Sequence, residues 1–152
     1  MKLFGKIPAL PKRWRKLLAG ALLLILLILF FPFQSITVPR WRLHVIDETG
    51  TLVSGISVTE HWQHYLLESE GHEQVLRTDA SGRVDFPART IRASIVARVI
   101  DTIINFARKG ANAKYDAYAS VVVWGSRDYE TGVATYQPGM PPQADIVVHR
   151  NR

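Results

Sequence analysis

The chain has 152 residues and no cysteine, so disulfides, thiol nucleophiles and thiolate-bound zinc or iron–sulfur clusters are all excluded. Its net charge of +6 comes from 19 Lys/Arg against 13 Asp/Glu. Six of those cations (Lys2, Lys6, Lys12, Arg13, Arg15 and Lys16) precede an uncharged stretch at residues 17–33, and the 13 that remain balance the 13 acids. The rest of the chain therefore has no cationic surplus to offer nucleic acid, which is not expected as a partner.

Residues 1–16 form a basic segment, and residues 17–33, LLAGALLLILLILFFPF, form an apolar one. As a helix, the apolar stretch would extend about 25 Å at 1.5 Å per residue, near the short end for a bilayer core of about 30 Å. Trp14 and Trp41 flank it in the manner of interfacial aromatics. The stretch is expected to be a transmembrane anchor. The rival reading is a cleaved signal peptide, which also has a basic front and an apolar centre, but the exit Phe33-Gln34-Ser35-Ile36-Thr37 has no small-x-small cleavage pattern. Cations stay on the cytoplasmic side, so the N-terminus is placed in the cytoplasm and the remainder outside the plasma membrane. The basic segment then meets anionic headgroups.

Residues 34–40 read as a linker ending at Pro39, and residues 41–152 as one extracytoplasmic domain of a size that builds its own core. Trp41, Leu43 and Val45 alternate with polar residues, the period of a half-buried strand. Asp47-Glu48-Thr49-Gly50 is a turn. In the strand that follows, Ile56, Val58 and Trp62 point one way, while Ser57, Thr59, His61 and Gln63 point the other. An acidic turn at residues 68–73 leads to a third strand through Val75 and Arg77, and a tight turn at residues 78–82 leads into Arg83-Val84-Asp85-Phe86-Pro87.

The stretches VIDETGTLVSGISV and RTDASGRVDFP resemble the signature runs of transthyretin-like, carboxypeptidase-regulatory-like modules. In that family a strand, D-x-x-G and G-x-x-V precede a T-D-x-x-G hairpin of alternating apolar residues. The resemblance covers residues 45–87 and implies a mainly β fold. That fold is an antiparallel seven-stranded β-sandwich with one amphipathic helix, accessory or binding in character. Alternating short strands with Gly/Asp turns point independently to an antiparallel sandwich. One enzyme of this fold, the hydrolase acting on hydroxyisourate, ends in Tyr-Arg-Gly-Ser; this chain ends His149-Arg150-Asn151-Arg152, so no residue is carried over. Pilin-type modules of similar shape close a Lys–Asn isopeptide bond, but beyond the apolar stretch this chain has only Lys109 and Lys114, neither placed on a strand.

After Pro87 the apolar period becomes helical: Ile95, Val96, Val99, Ile100, Ile103, Ile104 and Phe106 share one half of the wheel, and Ser94, Arg98, Asp101, Asn105 and Arg108 the other. Thr90 is the expected N-cap and Gly110 the C-terminal cap. The apolar face is expected to cover an edge or open end of the sandwich; the alternative is a helix that binds a partner or a membrane surface. Residues 117–124 read as a strand buried on both faces, residues 129–136 as a strand weakened by Gly132, and residues 144–149 as the final strand.

His61 and His64, three apart on a strand, face opposite sides and cannot converge on one ion. The acidic turn around His72 lacks the carboxylate spacing of a cation loop. Asp79 reads as an Asx-turn residue rather than a base. Neither a G-x-S-x-G elbow, a P-loop nor an H-E-x-x-H motif is present. No catalytic, cofactor-binding or metal-binding residue is assigned, and no cofactor is implied. Trp62, Tyr65, Trp124, Tyr129 and Tyr136 are either a stacking platform for a sugar or peptide or, for the tryptophans, core. The expected protein is a membrane-anchored, non-enzymatic binding or scaffolding module of the bacterial envelope, with the membrane and a protein or glycan as partners. The alternatives are a dedicated carbohydrate- or peptide-binding module and a hydrolase of unrecognised type.

Overall fold

The computed structural model describes residues 11–151. Of the expected basic segment, residues 1–10 lie outside the described residues. The elements in chain order are α1 (Lys12–Phe30), β1 (Phe33–Val38), β2 (Trp41–Asp47), β3 (Ser57–His64), β4 (His72–Arg77), β5 (Arg83–Phe86), β6 (Arg89–Ala93), α2 (Ile95–Lys109), β7 (Ala117–Val123), β8 (Gly132–Tyr136) and β9 (Asp145–Val148). The fold is mainly β, with two helices.

The described residues hold nine strands where seven were expected. They form three sheets: β1-β6, β5-β2-β9 and β4-β3-β7-β8. The two unforeseen strands, β1 and β6, pair with each other, Phe33 opposite Ala93 and Ile36 opposite Thr90. β1 occupies the expected linker, and its end is part of the core: Val38 is fully buried and Thr37 nearly so. Strand structure thus begins at residue 33. Pairing is not wholly antiparallel either, because β9 lies parallel to β2, His44 opposite Asp145. A two-residue hairpin forces antiparallel neighbours. β9 is instead reached from β8, in the other sheet, through residues 137–144, where three prolines forbid a ladder.

Alternation places Trp41, Leu43 and Val45 of β2 against Val58 of β3 and Val121 and Val123 of β7, all fully buried in one cluster with Phe86 and Val148. Each such side chain stabilises the fold by roughly 1.5–3 kcal/mol. The Trp41 indole N–H stays satisfied by donating to the Gln143 carbonyl at 2.8 Å. The two Asp turns are built alike. Asp47 accepts the amides of Thr49 and Thr51 and the Thr49 hydroxyl, and Asp79 accepts the amides of Ser81 and Arg83 and the Ser81 hydroxyl. Gly50 and Gly82 supply the positive φ each turn needs, 81° and 65°.

The helices depart from expectation. α1 ends at Phe30, because Pro32 follows and β1 begins at Phe33, so the apolar stretch at 17–33 is helical only over residues 17–30, about 21 Å. Lys12, Arg13, Arg15 and Lys16 fill its opening turns. No helix among the described residues is long and apolar enough to cross a membrane. No residue of α1 is buried. The N-cap of α2 lies four residues later than the expected Thr90: it is Ser94, its hydroxyl accepting the Ala97 amide at 3.1 Å, since Thr90 is taken by the β1–β6 ladder. The apolar face of α2 does not cover the sandwich. Val99, Ile100, Ile103 and Phe106 are exposed, and the one buried residue is Asn105.

Candidate binding cleft

The far end of β3 and the loop after it make an open cleft of about 350 Å³, lined by His61, Trp62, Gln63, Tyr65, His72 and Tyr118. It wraps the strand end, with His61 and Gln63 on one face of β3 and Trp62 on the other. His61 lies opposite Glu73 of β4 and Ser120 of β7, and Gln63 lies opposite Tyr118. His61 Nδ1 sits 3.7 Å from Glu73. Trp62 stacks on His72 with centroids 5.4 Å apart, and Tyr65 lies 6.0 Å from Tyr118 with the Lys114 ammonium 4.9 Å over its ring. Glu68 fixes the loop, one carboxylate oxygen accepting the His64 amide at 2.6 Å and the other lying 3.1 Å from His72 Nε2.

Behind Trp62 lies a buried charge pair. Glu60 has a fully buried side chain and takes Arg89 of β6 at 3.0 Å; Arg89 also donates to Gln74 and lies 3.8 Å over the Trp62 ring. Burial pushes the Glu60 carboxyl up, and the Arg89 hydrogen bond and charge oppose it. His64 faces the opposite way from His61. Burial pulls its pKa down, the nearby Arg98 pulls the same way, and Nδ1 is left without a partner. Among the described residues no three His, Asp or Glu side chains group as a metal site would require.

Of the five aromatics considered as a platform, only Trp62 and Tyr65 line the cleft. Trp124 is neither core nor platform: it is 54% exposed and lies over β3, donating to the Thr59 hydroxyl at 2.8 Å. Tyr136 meets Trp41 edge-on and Tyr129 lies under Arg150, both packed against the core. Sequence reading missed Tyr118, Lys114 and Glu73. Tyr118 was legible in principle, because it alternates with the buried Ala119 on β7 and so faces outward.

In this cleft His61 faces Glu73 and His72 faces Glu68, and the Trp62 ring is already stacked by His72 and Arg89. No protein family, no characterised protein and no solved structure matches the chain.

Proposed function

We propose that this protein is a membrane-tethered β-sandwich module, related in plan to transthyretin-like domains, that binds or scaffolds on the outer side of a bacterial plasma membrane. The supporting observation is α1. Its leucines and isoleucines are exposed, its cations gather at the N-terminal end, and three residues past its other end the chain enters β1, whose last two residues are buried. A helix apolar on every side has no stable place in water. Its uncharged length falls about 9 Å short of a typical bilayer core, a mismatch met by snorkelling cations and local thinning. Phe31 and Phe33, exposed and edge-to-face at 5.1 Å, stand where an outer aromatic belt belongs.

In this reading the β domain hangs outside, N-terminus inward, and the cleft beside Tyr65 and Tyr118 is its binding surface for an envelope glycan or peptide. The test is fractionation of cells making the full chain: the protein should stay with membranes through an alkaline carbonate wash and dissolve only in detergent. Release by carbonate overturns the tether. For the cleft, the Trp fluorescence of the detergent-solubilised chain should change on adding cell-wall glycan or peptide fragments, and Tyr118→Ala should abolish that change.

A further inference from the structure

Helix α2 is amphipathic the wrong way round for a water-soluble domain. The residues it turns toward the β domain are mostly polar: Ser94, Arg98, Asp101 and Asn105 recur at helical spacing and, with Val96 and Ala97, are the less exposed ones. Arg98 donates to the Ser35 hydroxyl of β1 at 2.7 Å, and Asn105 donates to the Lys114 carbonyl at 2.7 Å. A groove of mixed character lies between that face and the loop after β3, lined by Leu66, Leu67, Glu68, Asp101, Ile104 and Asn105 among others. The opposite face is aliphatic and outward, with Val99 at 52%, Ile103 at 62% and Phe106 at 63% exposure. Hydrophobic burial in water would select the reverse orientation.

We infer that α2 lies in the plane of the outer membrane interface, with Val99, Ile103 and Phe106 sunk among the acyl chains and Arg98 and Asn105 holding the β domain above it. The inference rests on the tether reading. Two observations favour lipid over another occupant. The first is continuity. Phe33 pairs with Ala93, so α2 starts where the chain leaves α1, and the two helices touch. The exposed Phe31 and Phe33 join the apolar surface of α1 to that of α2. The second is charge. Exposed Arg92 precedes the helix and is placed to reach anionic headgroups while the aliphatic middle goes deeper; Arg108 and Lys109 at the other end line the groove toward the β domain.

The chain contains no cysteine, so a single label can be placed without altering another site. The full-length chain would be reconstituted into vesicles of phosphatidylethanolamine and phosphatidylglycerol, with an environment-sensitive fluorophore on Ile103→Cys, on Val99→Cys as a second variant, and on Val133→Cys as the aqueous control. Val133 is exposed on β8 and far from both helices in the chain. The labels at 103 and 99 should brighten several-fold, shift to the blue and be quenched by nitroxide-labelled acyl chains, while the label at 133 stays unquenched. Three outcomes contradict the inference. If the chain floats with vesicles but labels 99 and 103 report water, α2 is not interfacial and the tether alone survives. If those labels are shielded but unquenched, and the shielding weakens on dilution, a second copy covers the face. If the chain does not float with vesicles at all, the tether fails and the inference with it.

Discussion

Arg89 on β6 and Glu60 at the centre of β3 form the one ion pair among the described residues in which both side chains are largely shielded, 15% and 0% exposed. It ties the β1–β6 ribbon, and through it both helices, to the four-stranded sheet. Glu60 Oε1 has no partner, so the carboxylate depends on Arg89 for compensation. Arg89→Met should therefore cost roughly 3–5 kcal/mol at neutral pH, by leaving a buried charge uncompensated, and adding Glu60→Gln should recover most of it. Burial raises the folded-state pKa of Glu60, so its linkage favours the fold at low pH, an advantage lost as pH rises through that raised value. The deficit of Arg89→Met should accordingly shrink on acidification. Urea unfolding of parent and variants in detergent, at neutral and acidic pH, measures both effects; a deficit below about 1 kcal/mol at neutral pH would show that the pair is not needed.

The Asp turns act with the opposite sign. The Thr49 hydroxyl, together with the Thr51 and Thr49 amides and Arg150, pulls the Asp47 carboxyl down to about 2 against burial. Hydrogen bonding by Ser81 lowers Asp79, and hydrogen bonding by Arg40 lowers Asp85. Stability from these groups is fully present above the ordinary carboxylate range near 4 and is lost as pH falls through their lowered values, which for Asp47 is about 2. Asp47→Asn should lower the melting temperature at neutral pH and flatten its fall across that acidic window. Thermal melts followed by circular dichroism at a series of pH values decide the matter, and parallel curves for parent and variant would contradict the assignment.

Gly132 opens β8 where that strand passes β9 of the other sheet. A Cβ there would sit 2.7 Å from Ile146 Cγ2 and 3.0 Å from the Val147 carbonyl oxygen. Gly132→Ala should therefore cost about 1–3 kcal/mol through overpacking, a fall of several degrees in melting temperature. The residue that weakens the strand pattern is the one that lets the two sheets close. A melting temperature equal to the parent's would mean that β9 moves aside freely.

What was legible in the sequence was what local physics decides. The alternation at Trp41, Leu43 and Val45 marks β2, and the T-D-x-x-G run is explained by its turn. Thr78 is buried, its hydroxyl donating to the Val53 carbonyl and receiving the Ile56 amide, while Asp79 and Gly82 close the loop. Nothing local announces that residues 33–38 pair with residues 89–93, because the partners are far apart in the chain and both segments are short. For the same reason the parallel β2–β9 pairing was invisible. The wheel of α2 was legible, but not which half faces the domain. Periodicity gives the two faces of a helix, and only tertiary contacts such as Asn105 to Lys114 show which is inward. The cleft was half legible: Trp62 and Tyr65 were in view, while Tyr118 joins them only through the β3–β7 register.

The central claim, a β domain held outside the membrane by α1, is tested most directly by labelling single cysteines in intact spheroplasts with a membrane-impermeant maleimide. Val133→Cys, exposed on the β domain, should react at once. Lys12→Cys, at the cationic start of α1, should react only after the membrane is broken. Equal reactivity at both sites in intact spheroplasts, or protection of both until lysis, would contradict the account.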